Sequence, residues 1–168
     1  MTVEREEFVQ AMRSVANSVA VVTTDGEAGR HGATVTAFCS VSADPPSLLV
    51  CLRIESRIAR AVTRNGEFCV NVLKHSASGL ADRFAGRGNV ASTDRFEGVD
   101  LVDMADGPPR LTEAACAFCC VLADTLATGS HVVAIGRVRD VYTAPEHPLA
   151  YLDGGYARVT PIPAVVSN

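Results

Sequence analysis

The chain has 168 residues, 48% of them hydrophobic and only 20% charged, which is enough apolar material for one core with little left for a second. A formal net charge of −4 argues against a nucleic-acid or anionic-membrane partner, either of which needs a clustered basic surface. No apolar run approaches the roughly 20 residues of a membrane span, and the N-terminus is rich in Glu and Arg where a signal peptide is apolar, so the expected location is the cytoplasm.

Residues 3–15 place Phe8, Ala11, Met12 and Val15 at helical spacing, with Glu4, Glu6 and Glu7 in the first turn where negative charge suits the helix dipole. This predicts an amphipathic helix lying on the rest of the molecule. Residues 18–24, rich in Val and Thr, read as a strand, and Asp25-Gly26 predicts a hairpin with a second strand over residues 32–42. Asp44-Pro45-Pro46 ends that strand, because proline has no N–H to donate and restricts the residue before it. Residues 47–52 form a continuous apolar run, as expected of a strand buried on both faces. Ser56 then stands where a helix N-cap belongs, and Asn65-Gly66 marks the end of that helix. Free N–H groups at a helix start, with the Ser56 hydroxyl and the Arg57 guanidinium beside them, suit an anion such as a phosphate.

Residues 67–73 alternate as another strand, and 77–84 form a second short helix with Leu80, Ala81 and Phe84 on one side. Residues 86–106 lack periodicity and predict a long surface loop over one end of the fold. Two long strand patterns follow, over 114–126 and 131–143, then a short strand near Tyr151, the turn Asp153-Gly154-Gly155, and Tyr156. Strands outnumber helices, which predicts a mainly β, antiparallel barrel with a few short helices. It is expected to form a single domain over residues 1–160, followed by a C-terminal tail over 161–168. Six cysteines sit in apolar runs and read as buried thiols. Cys116 and Cys119 are spaced as CxxC, but their odd separation would point them to opposite faces of a strand, and no second ligand pair completes a metal site.

The order Thr34-Val35-Thr36-Ala37-Phe38, Ser40-Val41-Ser42, Asp44-Pro45-Pro46, apolar strand, Ser56-Arg57 resembles the flavin reductase family with the FMN-binding split-barrel fold. Further matches at residues 67–73, 80–85, Arg95-Phe96, 129–131, 136–138, 148–151 and 155–156 extend the resemblance over about residues 8–158. It implies a homodimeric split barrel that uses NADH or NADPH to reduce free FMN or FAD, and that supplies diffusible reduced flavin to a separate flavin-dependent monooxygenase. By the same resemblance Thr34, Val35, Thr36, Ala37 and Ser40 hold the flavin ring edge and ribityl chain, with Leu52 and Arg53 beside the ring. Ser56 and Arg57 hold the phosphate, and Arg83, Phe84 and Ala85 lie toward the distal end. His131 and Tyr156 fall on the nicotinamide side. The family commonly has Gly-Asp-His where this chain has Gly129-Ser130-His131. No acid–base residue is implied, because hydride transfer between the two cofactors needs none from the protein. A flavin-binding module that senses or stores FMN without turnover is the alternative, and steady NADH consumption with added flavin separates the two.

Overall fold

The computed structural model describes residues 3–87, 94–102 and 107–162. In chain order the elements are helix α1 (Arg5–Arg13), strands β1 (Asn17–Ser18), β2 (Ala20–Thr24), β3 (His31–Val35), β4 (Phe38–Ala43) and β5 (Pro46–Arg53), helix α2 (Arg57–Asn65), β6 (Glu67–Leu73) and helix α3 (Ser78–Ala85). There follow β7 (Leu101–Val102), β8 (Arg110–Leu111), the long pair β9 (Ala114–Thr128) and β10 (His131–Thr143), and the closing hairpin β11 (Leu149–Leu152) and β12 (Gly155–Arg158).

Seven strands form one antiparallel sheet in the order β3-β2-β6-β9-β10-β5-β4. Its two edge strands, β3 and β4, are consecutive in the chain and separated only by Thr36 and Ala37. The sheet therefore has to curl until its two edges come close, and on the far side of the two-residue link the Cys51 N–H donates to the Ala37 carbonyl at 2.9 Å, prolonging the β4–β5 ladder up to that link. The result is the expected antiparallel split barrel. Val22, Leu48, Val50, Leu52, Phe68 and Val70 fill its interior. Gly136 is part of that fit: a Cβ there would stand 2.5 Å from Cζ of Phe68 and 2.7 Å from Cβ of Cys120. A second apolar cluster, with Val19, Leu73, Phe84, Phe96, Leu111 and Leu149, lies between the barrel and the elements packed outside it. Among the described residues no helix is long and apolar enough to cross a membrane.

Several expectations are corrected. The strand expected over 32–42 is two strands, broken at Thr36-Ala37, because the chain there crosses from one sheet edge to the other. β5 is not buried on both faces: Leu48, Val50 and Leu52 point inward and are buried, whereas Leu49 and Cys51 on the outer side are half-buried. Helix α1 buries none of its residues, and Phe8, Met12 and Val15 are exposed. It is tied down at its C-terminal end, where Arg13 pairs with Asp153 at 2.9 Å and the Asp153 N–H donates to the Arg13 carbonyl. The loop expected over 86–106 is partly structured in its described portion. Phe96 is buried, and β7 pairs with β8; residues 88–93 and 103–106 of that expectation lie outside the described ones, as do 163–168 of the tail.

The cysteines divide. Cys69, Cys119 and Cys120 are buried, Cys51 and Cys116 are half-buried, and Cys39 is exposed, contrary to the expectation of six buried thiols. Cys116 and Cys119 do belong to different apolar clusters, as their odd spacing requires. The partner of Cys119 is Cys69, directly opposite it across the β6–β9 ladder, with Sγ atoms 3.1 Å apart.

Candidate functional site

Strand β3 is the common wall of two cavities, and the helix starts and loops around it supply their chemistry. Its first half, with His31 and Gly32, lines a cavity of about 730 Å³ that also takes in Arg30, Ser56, Arg57 and Arg95. Its second half, Thr34 and Val35, lines a smaller one of about 180 Å³ together with Thr36 just beyond it and with Ala85, Arg87, Tyr151 and Tyr156.

The large cavity sets Arg30, Arg57 and Arg95 against a single lining carboxylate, Asp94, and a helix start adds to its positive side. Ser56 caps α2: its Oγ accepts from the Ala59 N–H at 3.3 Å and donates to the Arg53 carbonyl at 2.6 Å. The N–H groups of Arg57 and Ile58 in the same first turn have no acceptor among the described residues, so the helix presents two free donors at its positive end. Arg57 has no carboxylate partner among the described residues. Across the cavity Arg95 donates to the Phe84 carbonyl at 2.7 Å, while Arg30 pairs with Asp25 at 2.7 Å and lies over the Phe96 ring. Phe84 and Phe96 meet edge to face at 5.0 Å behind Gly32, where a Cβ would stand 2.6 Å from the Phe84 ring. A glycine is thus required for the close approach of β3 to the aromatic pair, and that packing shapes the cavity floor.

In the small cavity the Thr34 hydroxyl donates to the Ala81 carbonyl at 2.6 Å, binding α3 to β3. The Tyr156 hydroxyl donates to Oδ1 of Asp82 at 2.7 Å, and its ring stands edge-on to Tyr151. Burial first, then the hydrogen bond to Asp82, pushes the Tyr156 phenol up to about 12, so it acts there as a neutral donor and an apolar wall.

The structure thus brings Thr34, Val35, Thr36, Ala85 and Tyr156 together in one cavity and Ser56 and Arg57 in its neighbour. Ala37 sits at the barrel seam beside them. Ser40 lies elsewhere, on an outward groove with Phe38, Phe118 and Val141. Leu52 and Phe84 are packed in the two apolar clusters, 2% and 0% exposed, and support the walls from behind. Arg83 is half-buried, and its Nε has no hydrogen-bond partner among the described residues. Arg53 and His131 face each other across the β5–β10 ladder. Ser130, beside His131, accepts the Ile54 N–H at 3.0 Å, which places both at the end of the barrel from which α2 starts. The imidazole Nδ1 is 2.8 Å from the Ser130 hydroxyl, so Ser130 provides a hydrogen bond where the family commonly has a carboxylate. Sequence reasoning missed Arg30, His31 and Gly32 as cavity residues. The one available signal was the Arg95-Phe96 doublet in the long loop, whose aromatic ring needs an apolar partner.

A family model described as the flavin reductase like domain matches residues 12–160. The chain belongs to the flavin reductase family. It is 40% identical over 93% of its length to an FMN reductase (NADH) RutF 2 of Methylorubrum extorquens, 90% of which is covered. It is 36% identical to the reductase component of 4-hydroxyphenylacetate 3-monooxygenase of Escherichia coli, with 88% of each chain covered. Among solved structures, this flavin reductase resembles the NADH:FAD oxidoreductase SgcE6 of Streptomyces globisporus with a TM-score of 0.84 and 26% identity, covering 96% of this chain and 98% of that one.

Proposed function

We propose that this flavin reductase binds free FMN or FAD along β3 and reduces it with NADH or NADPH. The reduced flavin then passes by diffusion to a separate flavin-dependent monooxygenase. The observation that carries the binding mode is the 730 Å³ cavity with the unpaired first turn of α2 and Arg57 at its edge. Its volume is within the roughly 300–1,000 Å³ of small-molecule sites, and a phosphate suits the donors present. When both cofactors are bound, hydride transfer is supplied by the cofactors themselves. The residues of this chain bind and orient. Arg57 and the N–H groups of Arg57 and Ile58 hold the phosphate. Val35, Thr36 and Ala37 offer backbone along the ring edge at the seam, and Tyr156 with Ala85 closes the small cavity. His131, held by Ser130, stands on the nicotinamide side with Arg53 opposite.

The working unit in this reading is a homodimer of single-domain chains, domain 1–160, in the cytoplasm. It is supported by apolar side chains left exposed on α1 (Phe8, Met12) and on the β9–β10 pair (Val121, Leu126, Val141), which a two-fold partner would cover. NADH oxidation measured in parallel with FMN, with FAD and with no flavin tests the catalytic reading. Flavin-dependent, saturable oxidation is expected. Rates no higher than the free-flavin background would leave a flavin-binding module instead.

A further inference from the structure

Two buried thiols take no part in binding the flavin. Cys69 on β6 and Cys119 on β9 are direct partners across the ladder, neither with any exposed surface, and their Sγ atoms are 3.1 Å apart. Alternation along β6 turns Phe68 and Val70 into the barrel and Cys69 to its outer face, where it packs with Ala114, Ala117 and Cys119. Asn71, on the same face, holds β8 beside the pair by accepting the Leu111 N–H. From β8 the Arg110 guanidinium lies 4.0 Å from the centre of the Tyr142 ring, which itself packs on the thiol cluster. β6 and β9 contribute no residue to either cavity along β3.

Residues opposed in an antiparallel ladder have Cα atoms ~4.5–5.5 Å apart, inside the ~4.4–6.8 Å that a disulfide spans. Bond formation here asks the two sulfurs to approach by about 1 Å. The surroundings decide which sulfur reacts. A hydrogen bond from the Cys69 thiol lowers Cys119, and Arg139 and Arg110 add to this against burial and Asp140. The same contact, followed by burial, raises Cys69. Thiolate character is therefore concentrated on Cys119, and Cys69 remains a thiol, its Sγ also 3.8 Å from Oδ1 of Asn71. Cys120 does not compete, because it faces the barrel interior and burial pushes it up to about 12.

We propose that Cys69 and Cys119 are a reversible dithiol site that consumes hydrogen peroxide and closes to a cross-strand disulfide while flavin reduction continues. A flavin reductase meets this oxidant in its own work, because reduced flavin and dioxygen yield oxidised flavin and hydrogen peroxide. Cys119 attacks one peroxide oxygen and the O–O bond breaks. The departing hydroxide takes up the thiol proton as water, and the sulfur is left as a sulfenic acid. The Cys69 sulfur then displaces the sulfenic oxygen, which leaves as a second water with the Cys69 proton. Each sulfur has lost one electron, and the two electrons have reduced one peroxide to two waters. Peroxide reaches the covered pair through local opening of the β8 segment. A sulfenic acid without a nearby thiol goes on to the irreversible sulfinic acid, and Cys69 stands close enough to intercept it. Exchange with a small dithiol restores both thiols, so the bond is transient wherever the surroundings are reducing.

The test treats the folded protein with millimolar hydrogen peroxide, blocks the remaining thiols with an alkylating agent, and maps the unreduced cysteine peptides by mass spectrometry. Two peptides joined through Cys69 and Cys119, together about 2 Da lighter than their thiol forms, are expected, and dithiothreitol should return them to free thiols. NADH oxidation with FMN should differ by less than about twofold between the reduced and the linked protein. In Cys69→Ala the sulfenic acid has no resolving thiol, so sulfinic acid should accumulate at Cys119 under the same treatment. Wild-type protein that keeps both residues as free thiols, or links them only when unfolded in urea, would overturn the site. Sulfinic acid at Cys119 of the wild type without any linked peptide would do the same, since Cys69 then fails to resolve it. An activity loss that follows the link and is regained with dithiothreitol would make the pair an inhibitory switch and overturn the protective role.

Discussion

Asn71 offers the most direct check on how the fold is held. It lies in the middle of β6, fully buried, and ties three segments together. Its Nδ2 donates to the Val21 carbonyl and to the Thr23 hydroxyl, each at 3.1 Å, and its Oδ1 accepts the Leu111 N–H at 2.8 Å. Thr23 in turn donates to the Pro109 carbonyl at 2.6 Å, so the segment leading into β8 is held to β2 and β6 by this one side chain and its neighbour. Asn71→Leu keeps the approximate volume and removes every one of these bonds. The orphaned, buried Leu111 N–H costs about 1–3 kcal/mol, and each of the two lost donor bonds about 0.5–1.5 kcal/mol. The sum is about 2–6 kcal/mol. At about 2–4 °C per kcal/mol for a chain of this size, the midpoint of thermal unfolding should fall by roughly 5–20 °C, measured by far-UV circular dichroism with a urea titration alongside. Thr23→Val combined with Asn71→Leu should be less destabilising than the two single changes added together, by at least about 0.5 kcal/mol, since the two share a bond. A fall of under about 2 °C for Asn71→Leu, or strict additivity of the pair, would refute the reasoning.

Four other outcomes are expected. Arg57→Ala should weaken FMN binding about tenfold to a hundredfold, from the loss of a charge-assisted hydrogen bond of roughly 1.5–3 kcal/mol, and should leave lumiflavin, which has no phosphate, unaffected; equal losses for both ligands in a fluorescence titration would remove the phosphate assignment. Gly136→Ala should destabilise the barrel by about 1–3 kcal/mol by driving a methyl into Phe68, and a variant as stable as the wild type in urea would show that the interior has slack there. Tyr156, raised from 10 to about 12 in the fold, contributes stability that is complete below pH 10 and lost as the pH climbs toward 12; Tyr156→Phe should flatten that alkaline decline, and an unchanged profile would mean that burial and Asp82 together do not raise the phenol. His131→Ala should raise the KM for NADH about twofold to tenfold while flavin affinity stays near that of the wild type, and loss of flavin binding instead would move the histidine into the flavin cavity.

The elements legible in the sequence are those whose signals are local. Ser56 and Gly66 bracket α2 as N-cap and left-handed C-cap because both roles depend on a few neighbouring backbone atoms. The β2–β3 and β9–β10 hairpins follow from apolar strand-like runs joined by turns that contain glycine. What escaped depends on pairings far apart in sequence. The break at Thr36-Ala37 exists only because the two sheet edges meet there, and no local breaker marks it. The Cys69–Cys119 contact follows from the β6–β9 register, which periodicity cannot supply. For the candidate site, the family motif order singled out Thr34 to Ala37, Ser56 and Arg57, and all of these but Ala37 line one of the two cavities. The apolar pattern already set Leu52 and Phe84 toward the core, where they are found, but nothing local showed that Arg30, His31 and Arg95 converge on the same cavity from separate loops.

The seam between β3 and β4 has a consequence for how this barrel behaves without a ligand. Among the described residues each of these strands is laddered along one side only, and two covalently linked residues join them where another barrel would have a ladder. An unladdered edge is a template for pairing with any extended chain, and proteins normally blunt such edges with charge or proline. His31 to Val35 has no acidic residue, lysine or proline to do so. A flavin lying along β3 would therefore act as a substitute strand and shield that edge. Unliganded reductase should consequently aggregate faster on storage than the same protein kept with flavin, and its β3 amides should be among the first in the sheet to exchange with deuterated water.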